Sequence, residues 1–323
     1  MVWELLGIPI GIVFLYFGSE WMVDGAKKMA FRLGVAPFVV GLTVVAFGSS
    51  APEAITSVVS SANPQIIVGN IVGSNIANVG LAIGLAAILS PIACKYKEIR
   101  FELMSMMIAT IAITLMSTMG YLNWVDGIIL VSALFVFVYA VYRLKRNAPA
   151  DESIDPDLIE ESKSVSMPMW KCVVLVVVGI IALYVGAKAF IAGSVELASM
   201  IGISDLLVGL IVVAVGTSLP ELCICLLAAH RHENELVVSN IVGSIVFNCF
   251  FALGVGLFGA TVPITHYVLV FHMPVMIILA GLMFIMIKSG NCISRKEGVI
   301  LTGIYAVYIA LMVIFPELSS GVV

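Results

Sequence analysis

Apolar runs long enough to cross a lipid bilayer follow one another along almost the entire chain, and this leaves few folds open. Crossing ~30 Å of hydrocarbon takes about 20 residues as a helix. Candidate runs fall at roughly 3–29, 36–61, 65–89, 100–119, 124–143, 169–199, 204–229, 236–258, 265–287 and 297–315. Barrel strands would be about half as long and would alternate in polarity. The expectation is therefore an all-α integral membrane protein with ten transmembrane helices. Of the 323 residues 61% are hydrophobic and 11% charged, whereas a soluble domain carries about 25% charged residues. Nothing is left over for a soluble domain, so neither a nucleic-acid partner nor a separate enzymatic activity is expected. The first run has a counterpart in mid-chain, which a secretory signal would lack.

Positive charge falls on one side. With ten spans, the loops after helices 1, 3, 5, 7 and 9 share one face of the membrane. The chain has 16 Lys and Arg residues. All lie in those loops or at the adjoining helix ends, except Lys188 within a span. Lys27, Lys28, Arg32, Lys95, Lys97, Arg100, Arg143, Lys145, Arg146, Arg231, Lys288, Arg295 and Lys296 carry most of the signal. The positive-inside rule makes that face cytoplasmic and puts both termini outside, in a multi-pass protein of the cell membrane. Missing or adding one helix would scramble this asymmetry.

The chain repeats itself at an offset of 168 residues, to which a loop then adds two. Gly11, Gly18, Gly25 and Gly34 recur as Gly179, Gly186, Gly193 and Gly202. Gly48, Ser50, Pro52 and Glu53 recur as Gly216, Ser218, Pro220 and Glu221, and Asn70-Ile-Val-Gly-Ser74 returns as Asn240-Ile-Val-Gly-Ser244. Asn78 matches Asn248, and Gly127 faintly echoes Gly298. Each repeat holds five helices, and an odd number forces the second to enter from the opposite side. Inverted repeats of this kind are associated with alternating-access transport. The expected division is 1–143 for the first repeat, 144–168 for a cytoplasmic linker and 169–323 for the second repeat. The linker acids (Asp151, Glu152, Asp155, Asp157, Glu160, Glu161) read as a solvated, flexible tract.

A carboxylate at the middle of a transmembrane helix costs at least ~2.5–3.5 kcal/mol and marks function by default. Glu53 and Glu221 both sit near mid-span, each directly after a proline. Proline cannot donate its helical hydrogen bond and crowds the preceding turn. A local break is expected in each helix, freeing carbonyls such as those of Ala46 and Ala214. Ser49 precedes Glu53 by one turn, as Thr217 precedes Glu221, so each hydroxyl is expected on the face of its own acid. Ser50 and Ser218 can join them. Asn70, Ser74 and Asn78 form one stripe, mirrored by Asn240, Ser244 and Asn248. Gly69-x-x-x-Gly73 allows close helix approach. The donors are all oxygens, which suit Ca²⁺ and also Na⁺. Two glutamates balance one divalent ion. An empty pair would repel in a low dielectric and resist crossing, which favours exchange over leak.

These residues resemble the α-1 and α-2 repeats of the sodium/calcium exchanger family, prokaryotic type, within the cation/calcium antiporter superfamily. The resemblance covers essentially all ten helices. It implies an ion core of helices 2, 3, 7 and 8, with helices 1 and 6 as a long tilted pair outside it. It implies Ca²⁺ ligands Glu53, Glu221, Ser49 and Thr217, and Na⁺ sites drawing also on Ala46, Ser50, Ser74, Ala214, Ser218 and Ser244. Asn78 and Asn248 would close the middle of the site. Potassium-dependent members carry Asp where this chain has Asn248, so K⁺ cotransport is not expected. Calcium/proton antiporters carry Gly-Asn-Ala-x-Glu in place of the motif here. Na⁺/Ca²⁺ antiport in the lipid bilayer is the leading reading, and Ca²⁺/H⁺ antiport on the same two glutamates is the alternative. No cofactor is implied beyond the transported ions.

Other polar residues have plainer readings. Glu20 and Asp24 are expected to face headgroups or the cytoplasmic vestibule, or to pair with one another. Lys188 occupies the position equivalent to Glu20. His230 and His232 are expected in a solvated loop, and the six cysteines as small packing residues and not a disulfide framework. A channel would share the acids but has no need of inverted halves. An intramembrane protease would need a Ser–His or two-aspartate pair at depth, and none is visible.

Overall fold

A computed structural model describes residues 5–35, 37–60, 64–146, 167–200 and 216–319. The linker acids expected to form a solvated tract lie outside the described residues. Helix α1 spans Gly7–Leu33, α2 Pro37–Val59, α3 Gln65–Leu89, α4 Tyr96–Ser117 and α5 Trp124–Arg146. The rest are α6 Met169–Met200, α7 Leu219–His230, α8 Asn234–Gly256, α9 Val268–Gly290 and α10 Arg295–Ile314. Among the described residues, eight of these (α2–α6 and α8–α10) are long and apolar enough to cross a membrane. Helix α1 has the length, at 27 residues, but carries charges in its second half. The described part of α7 is shorter, at 12 residues.

Burial orders the helices. In α8, 94% of the most apolar window is buried inside the protein, and in α3 78%, against 22% in α5. Helices α3 and α8 are therefore the axis, and α5 lies at the rim. Exposed side chains at the rim are apolar, as at Phe135 and Val136 of α5 and Phe14 and Phe17 of α1. In water such a surface would drive aggregation; in hydrocarbon it is the ordinary lipid-facing side.

Segments from before and after the linker are interlaced. Helix α1 runs antiparallel to α6 along a glycine seam, where a Cβ on Gly18 would lie 2.8 Å from the Leu183 amide nitrogen, and one on Gly179 2.9 Å from the Gly18 carbonyl oxygen. Helix α10 packs on α3 at Gly84 and Gly298, and α5 packs on α8 at Gly127 and Gly254. Small residues let backbones meet where no hydrophobic force distinguishes protein from lipid. At the loops, β1 (Ile92–Ala93) pairs antiparallel with β4 (Cys292–Ile293), and β2 (Tyr121–Leu122) with β3 (Val262–Pro263).

The charged half of α1 is tied down by the α7–α8 loop, a pairing that the sequence reading did not foresee. Arg231 donates to Glu20 and to Asp24, each at 2.6 Å, and Lys27 reaches Glu233 at 2.5 Å. Glu20 and Asp24 thus bind a shared arginine and not each other. Lys188 lies 4.8 Å from the Tyr184 ring centroid, and His232 Nδ1 lies 3.3 Å from Ser90 Oγ. The arginine fork is partly exposed, and partly exposed ion pairs contribute about 0–1 kcal/mol each. Arg231→Gln is therefore expected to lower the thermal midpoint by a few degrees. Raising salt should shrink the difference, as nanoscale fluorimetry in detergent would read.

Candidate functional site

The two prolines break their helices at matching points. Ser50 sits at φ −87°, ψ 8° between Ala46–Ser49 and Ala51–Val59, and Ser218 sits at φ −87°, ψ 4° ahead of Leu219–His230. The freed acceptor differs from expectation. The Ala46 carbonyl still accepts from the Ser50 amide at 3.0 Å and from Ser49 Oγ at 3.3 Å. Pro52 deprives Gly48 instead, since a helical amide reaches the carbonyl four residues back. Ala214 lies outside the described residues.

Glu53 and Glu221 begin the helices that follow the breaks, and both are fully buried. A hydroxyl reaches each of them, and the one on Glu221 comes from the other half of the chain: Ser50 Oγ donates to Glu221 Oε1 at 2.9 Å. Ser74 Oγ donates to Glu53 Oε1 at 3.2 Å and lies 3.0 Å from Thr217 Oγ1. Ser49 Oγ donates to Asn240 Oδ1 at 3.2 Å and lies 3.4 Å from Ser244 Oγ. The contacts Ser49–Ser244 and Thr217–Ser74 are repeat equivalents. Each hydroxyl expected on the face of its own acid is thus bonded to the other half. Spacing by four assumes an unbroken helix, and the turn at Ser50 and Ser218 rotates the hydroxyls away from that register.

Helices α3 and α8 supply amides. Asn70 Nδ2 donates to the Glu53 carbonyl at 3.2 Å, and Asn240 Nδ2 to Cys225 Sγ at 3.5 Å. Asn78 and Asn248, both fully buried, each open a π-helical segment, Asn78–Ile83 and Asn248–Ala252. Such wide turns recur at functional sites. Gly243 brings α8 onto α2, where a Cβ would meet the Leu42 carbonyl oxygen at 2.6 Å. A Cβ on Gly73, expected to make the equivalent approach, meets no described atom within 4 Å.

Acceptor oxygens are left over. Glu53 Oε2, Glu221 Oε2, Asn70 Oδ1, Asn78 Oδ1, Asn248 Oδ1 and Ser218 Oγ are buried with no hydrogen-bond partner among the described residues. Orphaned buried groups cost about 1–3 kcal/mol each, more when charged, so a cluster of them calls for a cationic guest. The donor chemistry, carboxylate, amide and hydroxyl oxygen, fits Ca²⁺ or Na⁺.

Two polar residues escaped the sequence reading. Asn75 joins the amide network, accepting from Asn248 Nδ2 at 3.2 Å; its repeat counterpart is Ile245, so symmetry gave no hint of it. Glu102 is a third fully buried carboxylate, on α4, and it has no acidic counterpart after a proline to draw attention to it. His272 bonds Tyr308 and the Leu318 carbonyl, at 2.8 and 2.6 Å. The six cysteines carry free thiols.

Comparison with known proteins agrees along the whole length. The family model for sodium/calcium exchanger protein matches residues 3–143 and 171–314. An uncharacterized membrane protein of Methanocaldococcus jannaschii is 34% identical, covering 93% of this chain and 95% of its own. A sodium/calcium exchanger of Methanosarcina acetivorans is 30% identical, covering 96% and 98%. Among solved structures, the sodium-calcium exchanger NCX_Mj soaked with 10 mM Na⁺ and zero Ca²⁺ superposes with TM-score 0.81 at 31% identity, over 96% of this chain and 98% of that one. With its apolar helices and these relatives, this is a multi-pass membrane protein, and it belongs to the sodium/calcium exchanger family.

Proposed function

We propose that the chain is a secondary active antiporter exchanging Na⁺ for Ca²⁺ by alternating access, independently of K⁺. The observation that carries this reading is the pair of fully buried glutamates whose second oxygens have no donor among the described residues. Two carboxylates match the charge of one Ca²⁺, and the same oxygens serve Na⁺. The ligand set is Glu53, Glu221, Ser49, Thr217, Ser50, Ser218, Ser74, Ser244, Asn78 and Asn248, with the carbonyl of Ala214 and, where a cation takes the place of the Ser49 hydroxyl on it, that of Ala46. With Asn248 in place of the Asp of potassium-dependent members, the chain lacks the extra charge that a K⁺ would balance.

The architecture in this reading is ten spans in two inverted five-helix repeats, 1–143 and 169–323, joined by a cytoplasmic linker at 144–168. Three features support it. The helix breaks at Ser50 and Ser218 are equivalent. The contact of Gly84 with Gly298 becomes that of Gly254 with Gly127 when the repeats are exchanged. The pairing of β1 with β4 becomes that of β3 with β2 in the same way. Strands β1 and β4 lie in the basic loops, so their pairing agrees with one cytoplasmic face and with both termini outside.

The test is radiolabelled Ca²⁺ uptake into proteoliposomes with one gradient imposed at a time. Uptake should follow an outward Na⁺ gradient and ignore K⁺ and pH gradients. Uptake that follows a pH gradient and ignores Na⁺ would overturn the counter-ion assignment.

A further inference from the structure

An amide facing a cation has a handicap that a carboxylate does not: only one of its ends is an oxygen. Asn248 is fully buried, one turn beyond Ser244 on the stripe that meets Ser49, and something must hold its NH₂ group away from the ion. The structure assigns that task to Asn75, as a positioning residue. This rests on the reading of Asn248 as a ligand. Asn248 Nδ2 donates to Asn75 Oδ1 at 3.2 Å, leaving Asn248 Oδ1 buried with no partner among the described residues.

Amide ends cannot be told apart by shape, so the direction of this bond needs an independent anchor. Met276 supplies one. Asn75 Nδ2 lies 3.7 Å from Met276 Sδ and 3.2 Å from Cys249 Sγ. A thioether carries no hydrogen and can only accept, so the nitrogen of Asn75 turns toward the sulfurs. Its oxygen then faces Asn248, the nitrogen of Asn248 faces Asn75, and the oxygen of Asn248 is the end left free. The chain of three groups fixes one polarity. The repeat mate of Asn75 is Ile245, which offers no acceptor, and both Asn78 side-chain atoms are unpartnered among the described residues. Asn248 is thus a committed oxygen ligand, whereas Asn78 keeps both amide orientations.

The test is a double-mutant cycle. Asn75→Leu frees the Asn248 amide to turn its NH₂ to the ion, so the half-saturating Ca²⁺ concentration should rise about tenfold while the maximal rate changes less than about twofold. Asp presents oxygen whichever way it turns. In the Asn248→Asp background, Asn75→Leu should therefore shift the half-saturating concentration less than about twofold. Equal shifts in both backgrounds, or none in the Asn248 background, would overturn the assignment. If Asn248→Asp alone left both Ca²⁺ and Na⁺ dependence unchanged, Asn248 would not be a ligand. That result would end the proposal at its premise and is separable from the first failure. Should Asn75→Leu not yield folded protein, Asn75→Ala adds no bulk and poses the same question.

Discussion

Glu53→Gln and Glu221→Gln should each abolish Ca²⁺ transport while leaving a folded, inserted protein. The substitution keeps size and shape and removes one of the two charges that balance the ion. Stripping one partner from a buried charge pair costs about 3–5 kcal/mol, which is upwards of ~100-fold in affinity. Without ions the variants should be no less stable than the parent, because a neutral amide is easier to bury than a carboxylate. Ion-induced stabilisation gives the second readout. Ligand at about 100 times its dissociation constant adds ~2.7 kcal/mol to a protein that binds it. Saturating Ca²⁺ should thus raise the thermal midpoint of the parent and not of either variant. Parent-like flux in both variants would refute the site.

Gly243→Val should be the most damaging substitution outside the acids. The added side chain has no room: the Cβ alone would stand 2.6 Å from both the Leu42 carbonyl oxygen and Ala46 Cβ. Backbone cannot give way as a flexible side chain does, and overpacking of this kind costs about 1–3 kcal/mol or more. The displacement falls on the seam where Ser49 meets Asn240 and Ser244, at 3.2 and 3.4 Å. Transport should be lost and the midpoint should fall by several degrees, with Gly243→Ala between parent and Val. Gly281→Ala on α9 is the control. Its Cβ would meet only the end of Met107, at 4.0 Å, so transport should be unchanged and stability equal or slightly higher. Equal losses at both glycines would refute the packing account.

Much of the site was legible because it is written twice. Glu53 and Glu221 stand out as mid-span acids after proline, and repetition removes the reading of either as an accident. The stripes ending at Asn78 and Asn248 follow from helical periodicity alone. What spacing could not foresee is what the break does. Ser50 bonds Glu221 and Ser49 bonds Asn240, because the turn at the proline ends the register on which an i, i+4 argument depends. Asn75 was illegible for the opposite reason, since its partner position holds Ile245 and its role exists only through side chains on α8 and α9. The clamp of Arg231 on Glu20 and Asp24 joins residues about 200 positions apart, where sequence offers charge but no address.

The interlacing of the chain has a consequence for how the protein is made. When synthesis has reached the end of α5, Glu53 and Asn78 already lie at membrane depth, but α8, which carries much of the facing amide and hydroxyl array, does not yet exist. A lone carboxylate there costs at least ~2.5–3.5 kcal/mol, and α3 still lacks α10, the helix that covers it. The early product is thus an unfinished surface with a polar seam open to lipid. Assembly cannot proceed half by half. The seam is lined on both sides only once α8 has been made, and α3 is covered only once α10 has been made.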